Sequence, residues 1–161
     1  MYLNARNVCY LLSNDSILAS IHLLLLPNII GKEAPSQQAV ERGMIQMQND
    51  GYLECGPNGE SIISIELAFL LTGIFTSPKA LEWRKKDDSL DWAACCFENV
   101  YILLSSTRTG KWRLSPYPQK KQMLAALNEC KLSKAGTRLV DRGTGKAFPP
   151  DQVKNYFEED N

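Results

Sequence analysis

Hydrophobic positions in the first half of the chain recur every three or four residues, which is the spacing of an amphipathic helix. One such stripe begins at Ile17, and Pro27 should end it, which predicts a first helix over about 14–26. A second stripe follows Ser36, a natural N-cap residue, and stops at an Asn-Asp-Gly turn signal. It predicts a second helix over about 36–49.

The pattern then changes to that of a β-hairpin followed by a further helix. Asn58-Gly59 separates two short apolar runs, and this dipeptide is a specific hairpin signal. The apolar stretch 66–75 matches a helical stripe, so we expect a helix there. Ser77-Pro78 is typical of an N-cap followed by the first position of a helix, which predicts another short helix through Lys86.

Aromatic and β-branched residues become frequent after residue 90, and such residues favour strands. Pro116 and Pro118 should end the sheet that these strands form. The predicted elements are an antiparallel three-stranded meander over 92–97, 100–106 and 111–115, a helix over 119–130, one short strand within 137–148 and a short capped helix over 149–157.

This order of elements predicts an α+β fold. The helical half, 1–86, has a winged-helix-like layout of two helices and a hairpin, and the half over 91–161 holds the meander followed by a helix. The most plausible seam between the halves is 85–91. At 161 residues, the two halves should form one compact domain.

A winged helix would place its second helix in the major groove of DNA and use the hairpin as the wing. The residues do not match that use, because the second helix offers mainly glutamines and the hairpin carries Glu54 and Glu60 where basic residues should meet phosphate. We therefore favour a protein-contact role for this layout over DNA binding, and a purely structural role is an equal alternative.

Charge is distributed unevenly, although 18 basic and 18 acidic residues cancel. The first 80 residues hold four basic and seven acidic residues, or −3, whereas 108–146 holds ten basic and two acidic residues, or +8. Either the acidic residues 158–160 neutralise this basic segment, or the segment binds an acidic protein face or single-stranded nucleic acid. The candidate partner-binding residues are Arg108, Lys111, Trp112, Arg113, Tyr117, Lys120 and Lys121.

No set of residues indicates catalysis, a cofactor or a metal. His22, the only histidine, lies in a leucine-rich stretch, and Cys95 and Cys96 should point to opposite faces of a strand. The five cysteines include no CxxC pair, which argues against a zinc ribbon. The segment 143–146 lacks the spacing of a phosphate-binding loop and is interpreted as a turn. We expect a non-enzymatic protein, and a cysteine–histidine enzyme is the least favoured hypothesis.

The first residues lack the basic and apolar regions of a signal peptide. The two most apolar stretches, 21–30 and 67–75, are too short to cross a bilayer. An odd number of cysteines without a disulfide pattern fits free thiols in a reducing compartment. These features predict a cytoplasmic protein that does not insert into a membrane.

Four short stretches carry a family resemblance. Leu26-Pro27 ends the first predicted helix, and the sequence NDGYL, 49–53, ends the second. WAACCFENVYILL, 92–104, and WRL, 112–114, follow. In this order they resemble the EspG-type chaperones that accompany type VII secretion systems of Gram-positive bacteria, over about 10–130. The resemblance implies an α+β protein that holds helical secretion substrates in the cytosol.

Two functional hypotheses follow from these observations. The leading one is a non-enzymatic, chaperone-like protein that binds another protein, such as a helical secretion substrate. The alternative is a winged-helix-type regulator that binds nucleic acid through the basic segment 108–146, and its binding should be sensitive to salt.

Overall fold

A computed structural model describes residues 1–13, 35–129 and 138–157. The helices in these ranges are α1 (Ala5–Leu12), α2 (Gln37–Asn49), α3 (Ile65–Thr76), α4 (Lys120–Glu129) and α5 (Val153–Tyr156), with a 3₁₀ turn at Pro150–Gln152. The strands are β1 (Tyr2–Leu3), β2 (Leu53–Cys55), β3 (Ser61–Ile63), β4 (Ala80–Arg84), β5 (Leu90–Phe97), β6 (Val100–Ser106), β7 (Trp112–Tyr117) and β8 (Arg138–Asp141).

Six of these strands form one antiparallel sheet in the order β1-β7-β6-β5-β4-β8, and β2 pairs with β3 in a separate hairpin. The predicted meander is confirmed, because β5, β6 and β7 are consecutive in the chain and adjacent in the sheet. The second predicted helix, the hairpin and the helix after it are also confirmed as α2, β2–β3 and α3. The fold is α+β, as the sequence predicts.

Helices cover both faces of the sheet. Side chains alternate along a strand, so Ala93 and Cys95 of β5 lie on the first face, whereas Trp92 and Ala94 lie on the second. The first face packs against α1, α2 and α3 in one apolar cluster. The second face packs against α4 and α5 in another cluster, which includes Trp83 stacked on Trp92 with ring centroids 3.8 Å apart.

Local capping determines where the helices of the first face begin. Ser64 accepts a hydrogen bond from the Leu67 amide at the start of α3, and Ser36 accepts one from Ala39 at the start of α2. Gly43 allows α2 to lie close to α1, because a Cβ at this position would collide with the carbonyl oxygen of Arg6. These contacts set where α2 and α3 begin and how closely α1 and α2 pack.

The short helix predicted after Ser77-Pro78 is wrong, because residues 80–84 form β4 instead. The Ser77 hydroxyl donates to the Lys79 carbonyl and does not cap a helix. Strand β4 pairs with β5 on one side and β8 on the other, and this pairing overrides the local signal. The predicted seam at 85–91 therefore falls largely within the turn that joins β4 to β5 in the same sheet.

Other differences concern the N-terminus and the end of the meander. The winged-helix layout is not confirmed: its first helix, 14–26, lies outside the described residues, and the helix beside α2 is α1. Pro116 does not end the sheet, since β7 continues to Tyr117. The proline is tolerated because its missing N–H falls on the side of β7 that faces away from β6.

Candidate partner-binding site

The basic residues predicted to bind a partner do not form one cluster. Arg108 and Lys111 lie in the turn between β6 and β7, whereas Lys120 and Lys121 lie at the start of α4, beyond the other end of β7. The length of β7 separates the two groups by about 17 Å. These residues therefore form two separate positive patches.

Trp112 lies in the core and not on the surface. Its side chain is 2% exposed and belongs to the apolar cluster of the first face. The neighbouring Lys111 and Arg113 are exposed, as the alternation along a strand predicts. Trp112 thus has no surface with which to contact a partner, and its prediction as a contact residue is corrected.

Two arginines of the segment 108–146 bind acidic side chains within the protein. Arg142 Nε donates to Glu82 Oε1 at 2.6 Å, and Arg138 Nη2 donates to Asp88 Oδ1 at 2.6 Å. Arg84 joins the two pairs, since its Nη2 lies 2.5 Å from Glu82 Oε2 and its Nη1 lies 3.3 Å from Asp88. Part of the +8 charge is therefore neutralised by Glu82 and Asp88; residues 158–160, predicted for that role, lie outside the described residues.

Hydrogen bonds within the network favour the ionised forms of Asp88 and Arg84. The hydrogen bond from Arg138 lowers the pKa of Asp88 below its ordinary value. Burial lowers the pKa of Arg84, but hydrogen bonds and charges from Glu82 and Asp88 outweigh burial and leave the pKa raised. Arg142 also donates to the Ile74 and Ser77 carbonyls at the end of α3. These contacts hold the charged groups of the network within the fold.

Arg113 and Tyr117 line a polar cleft on the second face. Arg113, Ser115 and Tyr117 alternate along β7, and Ser105 of β6 lies directly opposite Arg113. We call this hollow of about 230 Å³ the β7 cleft. Its lining residues are Leu103, Ser105, Arg113, Ser115, Tyr117, Ala126 and Glu129.

The β7 cleft contains several hydrogen-bond donors with no internal acceptor. The guanidinium of Arg113 and the hydroxyls of Ser105, Ser115 and Tyr117 make no hydrogen bond or ion pair with other side chains in the described part of the chain. Glu129 provides the only carboxylate among the lining residues. Such a donor-rich hollow suits an anionic group that accepts several hydrogen bonds, such as a carboxylate.

An exposed tyrosine extends this surface toward the sheet edge. Tyr2 of β1 pairs with Arg113 and therefore lies on the same face; its side chain is 51% exposed. The pKa of the Met1 ammonium is lowered by burial and by the charge of Arg113, while Glu66 opposes this effect. The Met1 ammonium therefore experiences the opposite charges of Arg113 and Glu66.

Both edges of the sheet are closed to strand addition. The Tyr52 hydroxyl donates to the Tyr2 carbonyl and accepts from the Tyr2 amide, each at 2.9 Å, so it occupies the outward backbone groups of β1. At the other edge, the Phe148 amide donates to the Leu139 carbonyl and the Lys146 carbonyl accepts from Asp141. Strand addition at β1 or β8 is therefore blocked by contacts within the protein.

The described residues contain no group of three or more His, Cys, Asp and Glu side chains that could hold a metal. The Cys95 thiol is buried, donates to the Gly73 carbonyl at 3.4 Å, and has a pKa that burial raises to about 12. It is therefore protonated at neutral pH and is a poor nucleophile. His22 lies outside the described residues.

Tyr2, Ser105, Ser115 and Glu129 were missed by sequence reasoning. The alternation of Arg113, Ser115 and Tyr117 could have indicated one face, but a two-residue strand such as β1 leaves no periodic signal.

Among the described helices, none has both the length and the apolar character needed to cross a bilayer. In comparisons with known proteins, no family model, no curated protein and no solved structure matches this chain.

Proposed function

We propose that this chain is a non-enzymatic, chaperone-like protein that binds another protein, with an acidic segment of the partner held in the β7 cleft. The observation that carries the proposal is the convergence of Arg113 and three hydroxyls that have no internal acceptor among the described residues. The planar guanidinium of arginine binds a carboxylate through two parallel hydrogen bonds. An Asp or Glu side chain of the partner supplies that carboxylate.

The composition of the surface supports a protein as the ligand. Tyrosine and arginine are enriched among the residues that contribute most to protein–protein affinity, and Tyr2, Arg113 and Tyr117 lie on one face. Lys111 and Arg108 lie at the end of β7 nearest Arg113, where they would attract acidic residues beside the one that is bound. The resemblance to EspG-type chaperones suggests a helical secretion substrate as the partner.

The test is selection of binding peptides from a displayed random library, followed by titration of purified peptides. The expected winners are rich in Asp and Glu, and Arg113→Glu should weaken their binding about tenfold or more because the bound carboxylate loses its hydrogen bonds and meets a like charge. Lys154→Glu is the matched control, since it makes the same charge change at an exposed position of α5. It should leave binding within about twofold.

Three results would contradict the proposal. The selected peptides could lack acidic residues, or Arg113→Glu could leave their affinity unchanged while circular dichroism shows an intact fold. A labelled single-stranded oligonucleotide could instead bind with strong salt dependence and lose affinity in the Arg113→Glu variant. That third result would favour the nucleic-acid alternative.

A further inference from the structure

A larger cavity lies at the other end of the sheet, beside β4 and β8. It has a volume of about 490 Å³, a size typical of small-ligand pockets. We call it the β8 cavity. Its lining residues are Pro78, Lys79, Asp141, Gly143, Phe148, Gln152, Asn155 and Tyr156.

Hydrogen bonds hold the polar wall of the β8 cavity in place. The Tyr156 hydroxyl donates to Asp141 Oδ1 at 2.9 Å, and burial together with this bond raises the pKa of Tyr156. Asp141 also accepts from the Gly143 amide and the Thr144 hydroxyl, both at 3.0 Å. The carboxylate therefore has most of its acceptor capacity filled and serves to orient this wall.

Gly143 lies where the loop after β8 approaches Pro78. A Cβ at this position would lie 2.9 Å from the Pro78 carbonyl oxygen, so only glycine allows the two loops to approach this closely. The close approach of these two loops therefore forms part of the cavity lining.

Two amides beside aromatic rings also line the cavity. Gln152 and Asn155 are exposed, three residues apart on one helical turn, and their side chains make no hydrogen bond with other described residues. The Phe148 and Tyr156 rings meet edge to face, with centroids 5.1 Å apart. Both rings are partly exposed.

We propose that the β8 cavity binds a nucleobase. A base is a flat ring that stacks on an aromatic side chain, and its edge alternates donors and acceptors as an Asn or Gln amide does. Phe148 or Tyr156 provides the stacking surface, and Asn155 or Gln152 pairs with the edge of the base.

The experiment measures binding of adenosine, guanosine, cytidine and uridine to the full chain by NMR titration and calorimetry, with ribose as the ligand without a base. At least one nucleoside should bind at one-to-one stoichiometry and shift the signals of residues 148–156, and ribose should not. Asn155→Ala or Gln152→Ala should weaken binding by about fivefold or more. Gln122→Ala is the matched control, because this exposed amide lies on α4 away from the cavity.

Comparison with a short single-stranded oligonucleotide identifies the source of the base. Equal affinity assigns the site to free nucleosides, and tighter binding by the oligonucleotide assigns it to a strand; either result supports recognition of a base. The proposal is overturned if no nucleoside binds at millimolar concentration, if both amide variants bind normally, or if a proline-rich peptide occupies the cavity and nucleosides do not.

Discussion

Replacing Glu82 by glutamine tests the buried ion network directly. The Glu82 side chain is fully buried at the centre of β4 and accepts hydrogen bonds from both Arg84 and Arg142. Glutamine has almost the same shape but carries no charge, and its NH₂ group would face one of the two guanidiniums as a second donor. The Glu82→Gln variant therefore leaves two positive charges without their shared counter-ion.

The expected cost lies at the lower end of the range for buried pairs. Removing one member of a buried ion pair typically costs about 3–5 kcal/mol. Arg84 keeps its contact with Asp88, and Arg142 keeps its bonds to the carbonyls at the end of α3. The side chains of both arginines also retain some solvent exposure. We therefore expect a loss of about 3 kcal/mol in the free energy of unfolding.

Urea unfolding followed by tryptophan fluorescence measures this loss. Trp83 follows Glu82 in β4, and its ring stacks on that of Trp92. The midpoint should fall while the dependence on denaturant stays the same. Glu54→Gln, an exposed carboxylate on β2, is the matched control and should change stability by less than about 0.5 kcal/mol. A loss below about 1 kcal/mol in Glu82→Gln would refute the argument.

Three further predictions test the assignment of side chains to core, turn and surface. Trp112→Ala should lower the free energy of unfolding by about 3–5 kcal/mol, and Arg113→Ala should lower it by less than about 0.5 kcal/mol, as measured by urea unfolding. Equal losses would contradict the assignment of Trp112 to the core and Arg113 to the surface. Gly143→Ala should cost about 1–3 kcal/mol in the same assay because its methyl group meets the Pro78 carbonyl, and an unchanged midpoint would contradict this. The pKa of Asp88 is lowered in the folded state, so its carboxylate stabilises the fold above its unfolded pKa near 3.8, and this stabilisation is lost as the pH falls through the folded pKa. Asp88→Asn should therefore reduce the difference in unfolding free energy between pH 6 and pH 3. An unchanged difference would contradict this role of Asp88.

Elements determined by local signals were predicted well from the sequence. The Ser36 cap gives α2, the Asn58-Gly59 turn gives the hairpin, and the strand-forming runs after residue 90 give the meander. Strand β4 could not be predicted in this way. As a strand, this segment buries the Glu82 carboxylate. That burial is stable only when Arg142, sixty residues later in the chain, donates a hydrogen bond to Glu82.

The candidate site shows the same division between local and long-range information. The basic segment directed attention to Arg113 and Tyr117, which do line the β7 cleft. Charge counting could not show that Arg138 and Arg142 are held by acids outside the segment. It also could not show that Tyr2 joins Arg113, because β1 pairs with a strand more than 100 residues away. Contacts of this kind depend on tertiary structure and leave no pattern in a short window.

The two proposed sites can be tested independently because they lie at opposite edges of the sheet. The β7 cleft includes β7, and the β8 cavity includes β8; four strand spacings separate these strands, which is about 19 Å. Substitutions this far apart with no shared partner usually have additive effects. Arg113→Glu should therefore weaken peptide binding and leave nucleoside affinity unchanged. Asn155→Ala should weaken nucleoside binding and leave peptide affinity unchanged. If one variant impairs both kinds of binding while its circular dichroism spectrum shows an intact fold, the two sites are coupled.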